Sequence, residues 1–127
     1  MAHKKATSNE LLRRIEENRN RRRGEHNIYS DFLKMELPVR MIPIAEFLEI
    51  ISNVDPQDFS QQIEVYKHLI YNHCYMLHNK EFQSDDYVEP YDVVLDVFGN
   101  DVQAIADFGD KISALYGLAE IKDEIKN

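Results

Sequence analysis

Beginning at Ile44, the apolar residues of this chain stop alternating and start to recur every three or four positions. That change of period constrains the fold more than any other feature. Before it, Leu33, Met35 and Leu37 alternate with Lys34 and Glu36, the pattern of a half-buried strand. After it, Ile44, Phe47, Leu48 and Ile51 form one face of a short helix, which Asn53 and Pro56 are expected to stop. The expectation is a mainly α (α+β) fold, with a small β-hairpin near the N-terminal end of a compact helical domain.

The hairpin is placed at about residues 31–43, with Val39-Arg-Met-Ile-Pro43 returning through a tight turn at Leu37-Pro38; one isolated strand is the alternative. Helices follow at about 44–53, 59–78, 90–98, 101–116 and 118–125. Asp58 or Ser60 suits the cap of the long helix, and Pro90 suits the first turn of the next, which Gly99 can end. That helix turns Tyr91, Val94, Leu95 and Phe98 inward. Capped by Asn100 or Asp101, its successor buries Val102, Ile105, Phe108, Ile112 and Leu115 and closes at Gly117. Leu118, Ile121 and Ile125 suggest the last, short helix.

Residues 1–30 read differently. Thr7-Ser-Asn-Glu10 fits a capping box, and a helix from about Ser8 to Arg23 follows. Its apolar residues are only Leu11, Leu12 and Ile15; beyond them the sequence runs EENRNRRRGEHN, with nothing to bury. This predicts a projecting, partly flexible basic arm ahead of a single compact acidic domain over 31–127. Eight Lys/Arg against four Glu give residues 1–30 a charge of +4, so the remainder carries −12 of the net −8. An acidic body excludes broad contact with nucleic acid.

The stretch YNHCYMLH, Tyr71 to His78, looks at first like a metal or catalytic site. On a helix, however, Ile63, Tyr66, Ile70, Cys74 and Leu77 fall in one stripe about 80° wide, so the thiol belongs to a core face. His73 and His78 flank that stripe and His68 lies behind it. Only Cys74 and His78 could share an ion, short of what zinc requires. The cluster therefore reads as packing, with the histidines at the core's edge. Asp92 and Asp96 are one turn apart but on polar faces, where carboxylates are usually solvated. No phosphate-binding glycine loop or nucleophile elbow occurs. We expect no enzyme, cofactor or metal. No apolar run of about 18 residues suggests a membrane span, and a lone cysteine fits a reducing cytoplasm.

The order of elements resembles the XkdN-like family of phage tail assembly chaperones. The matching residues are Asn9-Glu-Leu-Leu-Arg-Arg-Ile-Glu-Glu-Asn18, the segment Phe32 to Ile51, Cys74-Tyr-Met-Leu77, Glu89-Pro-Tyr-Asp-Val-Val-Leu-Asp-Val-Phe98 and Ile112-Ser-Ala-Leu-Tyr-Gly117. The chain departs from the family pattern at Glu36-Leu-Pro-Val39, where a Gly-Gly turn is usual. It departs again at Tyr75, where a proline is common and whose absence would let the long helix run further.

The resemblance implies a non-catalytic assembly factor in the cytoplasm of the bacterial host, absent from the finished virion. Its partners would be the tape measure protein, the tail tube protein and a frameshifted longer form of itself. On the arm, Leu11, Leu12 and Ile15 offer an apolar docking stripe, with Arg19, Arg21, Arg22 and Arg23 as its basic end; their packing on the chain's own core is the competing reading. Two other functions stay open. One is a small nucleic-acid-binding protein using this arm, against which stand the interrupting Glu16, Glu17 and Glu25 and the lack of interleaved aromatics. The other is a minor structural tail component.

Overall fold

The computed structural model describes residues 3–52, 55 and 57–118. Its elements run α1 (Ser8–Arg23), β1 (Glu25–Ser30), β2 (Met35–Arg40), α2 (Ile44–Ser52), α3 (Phe59–His73), α4 (Val93–Val97) and α5 (Val102–Ala114). Short 3-10 turns at Tyr75–His78, Lys80–Phe82 and Pro90–Asp92 fill the connection from α3 to α4. The fold is mainly helical with one antiparallel hairpin near the N-terminus. The expected helix at 118–125 and the stop at Asn53 and Pro56 lie outside the described residues.

The hairpin occupies 25–40, not 31–43. Glu25 pairs with Arg40 and Ser30 with Met35, so the reversal falls at residues 31–34 rather than at Leu37-Pro38. The reversal is held by side chain and backbone together. The Lys34 N–H donates to Ser30 O at 2.8 Å, the Leu33 N–H to Ser30 Oγ at 3.1 Å, and Lys34 adopts φ 57°. Pro38 sits within β2, opposite Asn27, where the free edge of a two-stranded ribbon tolerates a missing donor. The alternation of Leu33, Met35 and Leu37 misleads because this ribbon buries little: only Ile28, Ser30 and Val39 turn fully inward.

Helices α3 and α5 pack against each other at the centre, with α2 and the hairpin laid on them. Val39, Phe47, Leu69, Ile70, Val94, Phe98, Ile105 and Ile112 are all fully buried. Each large side chain so buried stabilises the fold by about 1.5–3 kcal/mol. The α3–α5 crossing is close because Gly109 has no side chain: a Cβ there would stand 2.2 Å from Cδ1 of the Tyr66 ring. Gly99, at φ 58°, ends α4 as expected, beneath the Phe32 ring.

Three helical faces are rotated from expectation. In α2, Phe47, Ile50 and Ile51 turn inward, whereas Ile44 and Leu48 are about half exposed. In α4, Val93 joins Val94 and Phe98 in the core while Tyr91 and Leu95 are only partly covered, and in α5 Val102 faces solvent. Helix α3 ends at His73 rather than near 78. Cys74 leaves the helical region at ψ 78°, and the chain turns tightly so that Leu77 re-enters the core. The freed carbonyls find side-chain donors: His78 Nε2 reaches Tyr71 O at 2.8 Å and Gln83 Nε2 reaches Leu77 O at 2.9 Å.

Candidate partner-binding arm

Helix α1 begins as its sequence dictates. Thr7 Oγ1 accepts the Glu10 N–H at 3.2 Å, but the Glu10 carboxylate turns to Lys4 at 3.2 Å instead of closing the capping box. Along the helix Arg13 and Glu17 pair at 3.9 Å, an exposed i,i+4 contact of about 0.3–0.5 kcal/mol. None of its residues is buried. Leu11, Leu12 and Ile15 are 53%, 63% and 44% exposed, so they do not pack on the chain's own core. At about 100° per residue, Leu11, Leu12, Ile15, Arg19, Arg22 and Arg23 share one face about 120° wide, apolar in its first half and basic in its second. Arg21 points elsewhere and donates from Nη2 to Leu115 O at 3.2 Å, while His26 Nε2 lies 2.9 Å from Arg21 O. The Gly24 N–H closes the helix on Asn20 O and Arg21 O.

The histidines and the thiol of YNHCYMLH are held apart. Cys74 is buried, and burial pushes its thiol up to about 12, leaving it protonated. His73 is fully buried rather than at the core's edge. Its Nδ1 is 2.7 Å from Leu69 O and its Nε2 is 2.6 Å from the Tyr116 hydroxyl, which in turn accepts the Ile42 N–H at 2.8 Å. A neutral imidazole protonated at Nδ1 fits this chain, with Tyr116 donating to Nε2 in preference to the more distant Ile42 O at 3.4 Å. Burial lowers its pKa accordingly. The His68 ring lies 3.9 Å from that of Tyr91, tilted by 37°, and His78 stacks at 4.3 Å on Tyr71. Among the described residues, no three His, Cys, Asp or Glu side chains are grouped to hold a metal ion.

The carboxylates are likewise engaged in structure. Asp92 Oδ1 binds the buried Lys67 ammonium at 2.7 Å and its Oδ2 accepts the Glu89 N–H at 3.1 Å, tying the Pro90 turn to α3. Glu64 completes the ammonium's shell at 2.8 Å. Burial opposes the charge on Lys67, but Asp92 and Glu64 outweigh it and hold the pKa above the usual value. The Lys67 contact in turn holds Asp92 below the ordinary carboxylate range. Asp96 accepts the Tyr87 hydroxyl at 2.6 Å. No periodicity or motif signals the Lys67 cluster, because a lysine at that position reads as solvated.

No described helix is long and apolar enough to cross a membrane. No family model, no curated protein and no solved structure matches the chain.

Proposed function

We propose that the chain is a tail assembly chaperone of a contractile-tailed phage or prophage, acting in the host cytoplasm without catalysis. In this reading α1 grips the tape measure protein, the body keeps the complex in solution, and growth of the tube displaces the chaperone. The observation that supports it is the pairing of an unburied helix, apolar then basic along one face, with an acidic body in which Lys67, Asp92 and His73 are bound up in packing. A long helical client suits such a stripe through helix-on-helix contact, and the body's −12 of charge favours solubility.

Co-expression with the tape measure protein tests it. Residues 1–23 can be deleted without entering β1, and the remaining chain should fold but no longer retain the client. Retention without the arm would overturn the assignment. Mass spectrometry of purified particles separates the chaperone from a minor tail component, since a chaperone should be missing from them.

A further inference from the structure

A groove of about 560 Å³ runs between α2 and α3. Ile42, Ile50 and Val65 line its apolar part, and Glu46, Glu49 and Glu64 stand along it. Glu64 is already bound to Lys67, but among the described residues neither Glu46 nor Glu49 has an ion-pair partner. An apolar channel edged by uncompensated carboxylates fits a helix whose contact face is apolar and then basic. The same chain carries that helix. Leu11, Leu12 and Ile15 match the groove's aliphatic residues, and Arg19, Arg22 and Arg23, on the same face, match its carboxylates.

The chain's own arm does not fill its groove: α1 is unburied and Arg21 is held at Leu115 O. We infer that the groove receives α1 of a second copy of this chain. Leu11, Leu12 and Ile15 would seat on Ile42, Ile50 and Val65, and Arg19 and Arg22 would pair with Glu46 and Glu49. Reciprocal exchange of arms closes a two-fold dimer; one-way insertion continues head to tail. The contact is small and its charges lie near the surface, so the association should be weak and salt-sensitive. In such an assembly the apolar stripe is covered until a competing partner takes the arm.

Sedimentation velocity of the full chain tests this without any phage protein, so its outcome is separate from that of the chaperone assignment. Over a roughly hundredfold range of concentration at low salt, the average mass should rise above the monomer. Raising NaCl to about 0.5 M should weaken the association about tenfold or more. Leu12→Glu with Ile15→Glu should weaken it similarly, as should Glu46→Lys with Glu49→Lys, both at exposed positions where the fold tolerates change. Adding Arg19→Glu and Arg22→Glu to the groove pair should restore it. A chain that stays monomeric throughout overturns the inference, as does association indifferent to the substitutions or a charge exchange that fails to restore it. Unchanged circular dichroism in each variant verifies that the body is still folded.

Discussion

The Tyr66 ring on α3 lies against the bare backbone of Gly109 on α5, close enough that a Cβ would stand 2.2 Å from Cδ1. The Tyr66 hydroxyl then reaches Asp110 Oδ1, the next residue of α5, at 2.8 Å. One contact thus sets both the spacing of the central helix pair and its rotation.

Gly109→Ala should therefore destabilise the chain by about 2 kcal/mol or more, although alanine is the better helix former by about 1 kcal/mol. Tyr66→Phe keeps the ring and loses only the hydroxyl, so it should cost less, about 1–2 kcal/mol. Urea unfolding of the two variants checks the order.

The Lys67–Asp92 bond should support the fold across a wide plateau of pH. Asp92 is held low, so its contribution is present above about pH 4 and is lost as pH falls through its folded value. Lys67 is held high, so its contribution is present below about pH 10.4 and fades as pH rises through its folded value. Asp92→Asn should cost about 2–4 kcal/mol by leaving a buried ammonium undercompensated, and pairing it with Lys67→Met should recover much of the loss. A double-mutant cycle from thermal melts measures this.

His73 predicts a dependence near neutrality. Burial keeps its imidazole neutral when folded, whereas the unfolded chain takes up that proton near pH 6.5. Stability should be flat above about pH 6.5 and decline as pH drops toward the folded value, by at most about 1.4 kcal/mol per pH unit for this group. Denaturation midpoints at about pH 7.5 and about pH 5.5 should differ in the natural chain and less in His73→Gln.

The Cys74 thiol should be inert while the chain is folded. It is buried and its pKa is pushed up to about 12, so the thiolate that attacks disulfide reagents is scarce and shielded. Reaction with an aromatic disulfide should track unfolding and become complete in denaturant; rapid labelling under native conditions would contradict the placement.

Helix positions were legible in the sequence wherever a period of three or four met a chemical stop. Asp58 and Asp101 cap α3 and α5, and Gly99 ends α4 at positive φ. The hairpin lies earlier than its alternation suggests because β1, EHNIYS, is mostly polar and carries little strand signal, while the alternating Leu33 and Met35 lie in the reversal and at the exposed start of β2. The end of α3 was missed because its turn at Cys74 is stabilised by His78 and Gln83, side chains beyond it. Period alone also cannot show a lysine entering the core, since Lys67 is buried by virtue of Asp92, a residue 25 positions away in sequence. On the arm, the absence of any apolar residue after Ile15 was a sufficient signal that α1 stays unburied.

Sixteen residues of α1, rising about 1.5 Å each, make a rod roughly 24 Å long joined to β1 through Gly24. Leverage follows from that. A segment docked at Leu11 and Leu12 would sit more than three turns from the joint, so a rotation of about 20° at Gly24, which would also have to release Arg21 from Leu115 O, would carry it about 6 Å.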